Sequence, residues 1–456
     1  MSQGSLFRRV FVWTALLLGL VALLGTQPAA AKATVILVTS TGHEVAPFVN
    51  DGDCTLGEAL AAAAADQRID GCTANHFGSG GPFFIQLAPN ATYTLTAIDN
   101  TLAGANGLPQ ITRDVTIQGY NATIERGNNA PNFRLLYVAN TGKLTVDSLR
   151  LRNGTATSDG TRCQDTGWAC GGAILNEGGT VVIRNSFLTN NVAEAGGALM
   201  TVDGNATIRY STFSGNFAVG SQGQGGAIAQ FGDLPILIEH STIVNNDADK
   251  RGGGLQNEGA ATINFVTFSG NGAELGGNIR NFEGTVTFSN SIIGRASEGG
   301  NCASLDGTIG SGGYNVEDAN DCEFSQATDR RNTPTGLGTL DSSRFVPVIP
   351  LNSGSAAINL IPAGTNGCIA GVTGDQRYFV RANGASQGGS GCDSGAYEFD
   401  TNSLITAIKL DNFKQLPPEK PNVALWYGAA LLLLFSAWAF RRTIRRYADH
   451  LYSSKP

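Results

Sequence analysis

Charge is scarce in this 456-residue chain: Lys, Arg, Asp and Glu together supply only 15% of it, and the balance is −7. A nucleic-acid partner requires a basic face, so nucleic acid is not an expected partner. Histidine is scarcer, with four residues, and no Cys-x-x-Cys occurs, which leaves a zinc site little support. No metal site is expected from this pattern. Glycine fills much of the gap, with 60 residues, about twice its usual share. Together with Asn, Thr and Ser it suits solvated turns between short strands better than helices.

Long apolar runs occur only at the two ends. The N-terminus reads Phe7-Arg8-Arg9, an apolar stretch from Val10 to about Gly25, then Ala29-Ala30-Ala31. A basic segment, an apolar segment and an A-x-A site describe a secretory signal peptide over residues 1–31, the alternative being an uncleaved anchor. Near the other end, Val423 to Phe440 carries no charge and is long enough to span a bilayer as a helix. Trp426, Tyr427 and Trp438 lie near its ends, and Arg441, Arg442, Arg445 and Arg446 follow. Interfacial aromatics and cytoplasmic positive charge predict a transmembrane helix over 423–440, a cytoplasmic tail over 441–456 and an extracytoplasmic remainder. A buried core helix is the alternative. Residues 401–422, with Pro417, Pro418 and Pro421, read as a stiff linker. The expected localisation is therefore secreted and membrane-anchored, with the membrane as one partner.

Eight cysteines fall as four close pairs, Cys54/Cys72, Cys163/Cys170, Cys302/Cys322 and Cys368/Cys392. An even count in a secreted chain favours disulfides. Sequential pairing is the simplest arrangement, although spacing does not dictate connectivity.

The centre of the chain is a self-repeat. Units open at Gly171-Gly172-Ala173-Ile174, Gly196-Gly197-Ala198-Leu199, Gly225-Gly226-Ala227-Ile228, Gly252-Gly253-Gly254-Leu255 and Gly276-Gly277-Asn278-Ile279. A period of about 25 residues, made of short strands and glycine turns, signals a solenoid. Alignment of the units gives one apolar column, Val146, Ile183, Ile208, Ile238, Ile263 and Phe288. Five residues on lies a second: Leu151, Leu188, Phe213, Ile243, Phe268 and Ile293. Asn191, Asn216, Asn246 and Asn271 form a polar column whose amides could bond from coil to coil. A charged column, Asp147, Arg184, Arg209, Glu239 and Asn264, flanks the first apolar one. Three strands per coil fit this period. The expected fold class is all-β, a single-stranded right-handed parallel β-helix over 83–332. A leucine-rich repeat is disfavoured by the missing Leu columns and helices.

Before the rod, residues 32–82 read as a cap. Thr55 and Glu58 have capping-box spacing, and alanines follow, which predicts a helix from Leu56 to about Asp66. Asp51-Gly52-Asp53 reads as a turn at its N-terminus. Such a helix would shield an exposed solenoid end. After Thr333 the period fades, and residues 333–400 are expected to close the second end.

Three stretches together resemble a class of bacterial surface proteins. Cys54 to Leu60 is similar to the C-S-L-R-E-A-I motif, matching at Cys54, Leu56, Glu58 and Ala59 and departing at Thr55, Gly57 and Leu60. The Gly-Gly-Ala-Ile units resemble pectate-lyase-like β-helix repeats. Asp375-Gln376-Arg377 and Cys392-Asp393-Ser394-Gly395-Ala396-Tyr397-Glu398 look like the D-Q-R and C-D-x-G-A-Y-E of a choice-of-anchor ending. The resemblance implies a surface-displayed β-helix of a class mostly without assigned activity.

Pectate-lyase-like chemistry needs carboxylates that hold Ca²⁺ and an Arg base; glycoside hydrolysis needs paired carboxylates. The N-T-D, D-D and G-H-G patterns of polygalacturonases do not occur here. The best cluster on the rod is Asp233, Glu239, Asp247 and Asp249, beside Lys250 and Arg251, read more simply as a solvated salt-bridge ladder. Trp168 either offers a face to a sugar or packs within its own loop. His76 and His240 are expected in surface or turn roles. Two functions follow: a non-enzymatic rod for adhesion or for glycan or cell-wall binding, without cofactor, or a displayed polysaccharide lyase or glycoside hydrolase, for which alone Ca²⁺ is expected.

Overall fold

The computed structural model describes residues 32–156, 168–369, 374–381 and 391–399. The expected signal peptide, linker, span and tail lie outside them. Among the described residues no helix is long and apolar enough to cross a membrane.

The chain winds into a parallel β-helix of about eight coils with almost no helix. Each central coil carries four short strands, one more than the period suggested. The first stack holds Thr180–Arg184, Asn205–Arg209, Ile236–Glu239, Ala260–Asn264 and Thr285–Ser289. The second holds Phe187–Thr189, Thr212–Ser214, Thr242–Val244, Thr267–Ser269 and Ile292–Gly294. Long strands in earlier coils, Asp114–Arg126 and Lys143–Arg152, run through both, so the two stacks join as one 17-stranded sheet. A four-stranded sheet, Val192–Ala193 to Gly272–Leu275, is the third stack; a seven-stranded sheet, Leu136–Val138 to Cys302–Leu305, is the fourth.

Register follows the columns read from the repeats. Val146, Ile183, Ile208, Ile238, Ile263 and Phe288 pair in sequence. So do Leu151, Leu188, Phe213, Ile243, Phe268 and Ile293. All twelve are fully buried. Strand alternation puts these positions inside and their neighbours outside. The paired glycines have two separate duties. The first of each pair, such as Gly196, has φ near 62°, which favours glycine. The second, such as Gly197, lies where a Cβ would meet the carbonyl of Gly226 in the next coil.

The asparagine column forms the expected ladder. Asn191 donates to Asn216 at 3.0 Å, Asn216 to Asn246 at 2.8 Å and Asn246 to Asn271 at 2.9 Å. It extends through Asn278 and Asn301, and Asn301 donates to the Asp318 carboxylate at 2.9 Å. A serine ladder accompanies it: Ser186 N–H donates to Ser211 Oγ and Ser211 N–H to Ser241 Oγ, each at 3.2 Å.

The helix Leu56–Ala65 has Thr55 as N-cap in a capping box with Glu58. Its Leu56, Ala59, Leu60 and Ala63 join the rod core. The disulfides Cys54–Cys72, Cys302–Cys322 and Cys368–Cys392 form as paired in sequence. Cys170 is disulfide-bonded, and Cys163 lies outside the described residues.

The far end is closed by a different segment than expected. Phe324, two residues beyond the Cys302–Cys322 disulfide, lies edge-on to Phe288 at 5.4 Å and completes the core column. The described parts of residues 333–399 run back along the side of the rod as a strap. Thr212 donates to Pro347 O at 2.5 Å, Ala396 N–H to Thr267 Oγ1 at 3.0 Å, and Ser394 Oγ to Tyr314 O at 2.6 Å. The second stack's outward residues Val244 and Ile292 pack against Leu337, Ile349 and Leu351. An outward face that carries Thr, Val and Ile in place of charge is a face that wants covering.

Candidate functional site

The four carboxylates singled out on the rod do not converge. Glu239 belongs to the first stack and pairs with Arg209 across one coil at 2.7 Å; Asp147 and Arg184 do the same at 3.0 Å. Asp247 and Asp249 belong to the third stack. Asp249 accepts from Gly220 N–H at 2.6 Å, and its neighbour Lys250 pairs with Glu274. The Asp247 carboxyl is held above its ordinary value by partial burial, then by Asp249 and Glu298. Asp233 is exposed in the connection between the fourth and first stacks. Of the four, only Glu239 makes an ion pair among the described residues, and such an exposed cross-coil pair contributes well under 1 kcal/mol.

Trp168 is half-buried, edge-on to Phe231 at 5.8 Å, and packs on Cys170, Leu175 and Met200. The ring thus packs against the fourth stack of the rod, and residues 157–167 of its own loop lie outside the described residues. His240 occupies a turn, with φ of 46°, but it is buried. Its ring stacks between Tyr210 and Phe265, at 5.1 Å from each. Burial, with Arg381 and Arg209 nearby, lowers its pKa to about 3, so the ring is neutral.

This stack lies on the corner between the first two stacks, where Ser148, Asn185, Tyr210, His240, Phe265 and Asn290 all have positive φ. The strap crosses that corner. Tyr378 tilts over Tyr210 at 4.5 Å, and the Arg381 guanidinium lies over Phe265 at 4.4 Å. Where strap and corner part, they leave a cleft of about 170 Å³. Asn121, Ser148 and Asn185 line it from the rod, and Arg344 and Tyr378 from the strap. Arg344 is exposed and makes no ion pair among the described residues. Burial holds the Tyr378 hydroxyl protonated by raising its pKa. Tyr faces, amides and guanidinium groups, here Arg344 and the Asp375-paired Arg377, are the groups that meet a sugar ring and an acidic substituent.

The two strap motifs meet in one buried polar knot that fixes this geometry. Asp375 accepts from Arg377 Nε at 2.7 Å and from the N–H groups of Arg377, Phe379 and Glu398 at 2.8–3.0 Å. Arg381, fully buried, donates to Asp393 O at 2.8 Å, Gly395 O at 2.7 Å and Glu398 Oε2 at 3.2 Å. Gln376 ties the knot to the rod, accepting from Thr242 Oγ1 at 2.6 Å and donating to Thr212 Oγ1 at 2.7 Å. Arg381 and Arg344 were not singled out in the sequence; only the adjacent D-Q-R pointed towards this segment. Comparison of the chain with known protein families, curated proteins and solved structures finds no match.

Proposed function

We propose that this protein is a membrane-tethered, extracytoplasmic β-helix rod that binds surface polysaccharide without turning it over. The leader-like N-terminus, the apolar run with its arginines and the C-S-L-R-E-A-I and choice-of-anchor resemblances support display outside the membrane. Three disulfides suit an oxidising compartment. We infer right-handed winding, the hand that parallel crossovers take almost without exception.

The observation that carries the binding reading is the cleft between strap and corner. Its volume is below the roughly 300–1,000 Å³ of enclosed small-molecule sites, so it suits one unit of a polymer lying on the surface. Arg344 favours an acidic unit, and Tyr378 offers an apolar face. Titration of the purified full-length protein with uronate polysaccharides tests this. Binding that falls at least tenfold in Tyr378→Ala and Arg344→Ala is the expected result. Unsaturated uronate products absorbing in the ultraviolet would refute it, and so would affinity unchanged by both substitutions.

A further inference from the structure

The N-terminal cap gathers more negative charge than its hydrogen bonds account for. Asp53, Glu58 and Asp70 each offer a carboxylate oxygen, all within 4.8 Å of one another. Glu44 and Asp51 form a second such group that shares Asp53. None of the five makes an ion pair among the described residues.

Glu58 supplies the independent observation. It is completely buried. Its Oε2 accepts from Thr55 N–H at 2.9 Å and Thr55 Oγ1 at 3.0 Å, which completes the capping box. Its Oε1 is buried without a hydrogen-bond partner, and so is Asp53 Oδ1. A capping box consumes one carboxylate oxygen and gives no reason to bury the other unsatisfied. A buried unpaired carboxylate is among the costliest groups a fold can hold, and ion pairing or metal coordination is its usual remedy. No Lys or Arg is paired there, and two unpartnered carboxylate oxygens in one group favour a shared cation over two separate protons.

We propose that Asp53, Glu58 and Asp70 hold a calcium ion that ties the segment around Asp70 to the N-terminus of the capping helix. Ca²⁺ binds oxygen at about 2.3–2.6 Å, so two ligands of one ion lie at most about 5 Å apart, which these three satisfy. The donors are all hard oxygens, and the one nearby sulfur, Cys54, is in a disulfide, which excludes soft-metal chemistry. The ligands are pre-positioned. Asp70 Oδ2 accepts from Gly52 N–H at 2.8 Å, Gly71 N–H bonds Asp53 O at 2.9 Å, and the Cys54–Cys72 disulfide joins the two segments. The partial positive charge of the helix N-terminus opposes a cation, but it amounts to about half an elementary charge against three carboxylates. An extracellular site of this kind needs only micromolar to millimolar affinity to be filled.

The test uses the full-length protein stripped with chelator and dialysed. Calorimetric titration with Ca²⁺ should show one site in the millimolar range or tighter. Thermal unfolding should shift upward by roughly 2–5 °C at saturating Ca²⁺. Asp53→Asn and Asp70→Asn should keep the wild-type circular dichroism and lose both effects; Glu58→Gln, which can keep the capping box, should weaken binding at least tenfold. Glu274→Gln on the rod should bind as wild type. Absence of saturable binding at 10 mM Ca²⁺, binding undiminished in Asp53→Asn and Asp70→Asn, or an equal response to Mg²⁺ would overturn the assignment.

Discussion

Replacing Asn216 by alanine removes one rung of the amide ladder, and its cost follows from four bonds. The Asn216 amide donates to Leu188 O at 3.1 Å and to Asn246 Oδ1 at 2.8 Å. Its Oδ1 accepts from Asn191 N–H at 3.1 Å and from Asn191 Nδ2 at 3.0 Å. Three of these are ordinary buried hydrogen bonds at about 1 kcal/mol net each. The fourth strands a backbone N–H, because Asn191 N–H is satisfied by the Asn216 Oδ1, and an unsatisfied buried donor costs about 1–3 kcal/mol. The sum is about 4–6 kcal/mol. Thr262→Ala, on the solvent side of the first stack, should stay within about 0.5 kcal/mol of wild type. Urea unfolding followed by circular dichroism gives the totals. Hydrogen exchange over residues 187–218 locates the effect, since each coil answers mainly to its neighbours. A loss below about 1.5 kcal/mol, or exchange unchanged beside the substitution, would mean that the ladder is incidental to stability.

Two further outcomes concern the strap. His240 is held neutral, with its pKa lowered to about 3 against about 6.5 when unfolded. The unfolded chain therefore binds the extra proton between these values, and stability present above pH 6.5 is lost as pH falls towards 3. Asp393, whose pKa burial raises, acts in the opposite sense, so His240→Phe is compared with wild type across pH 7 to 4; its unfolding midpoint should fall less. An identical pH response would refute the assignment. Gln376→Ala removes three buried bonds, to Thr212, Thr242 and Pro347, at about 2–4 kcal/mol together. Limited proteolysis should then cut within residues 333–369 faster than in wild type, while the rod stays resistant; equal rates would show that the knot does not hold the strap.

The rod was legible because its signals are periodic. Ile183, Ile208 and Ile238 recur in register, and one strand period is enough to say which side they face. The helix boundary was legible from Thr55 and Glu58, a local chemistry. The strap's path was not. Thr212, Thr242 and Thr267 look like solvent-facing residues of alternating strands, and only their bonds to Pro347, Gln376 and Ala396 show what covers them. The candidate site shares that limit. Asn185 and Arg344 are far apart in sequence, and neither belongs to a motif that would announce a cleft. The turn at His240 was among the expected roles, but its burial was not legible: a lone histidine after Glu239 gives no sign that Tyr210 and Phe265 flank it from adjacent coils. Glu58 was recognised as a capping residue, and that reading used only one of its two oxygens.

The amide ladder points one way. From Asn191 to Asn301 each side-chain amide passes one N–H forward to the oxygen of the next asparagine in the chain of bonds, and the last one ends on the anion of Asp318. Aligned amides add their dipoles, so the interior behaves as a polarised wire with a carboxylate at its positive terminus. The two ends are thereby chemically unlike: shortening the rod from the Asp318 side leaves a donor dangling, whereas adding or removing a whole coil in the middle preserves the current of bonds. Rod length is free to vary by units, but polarity is not.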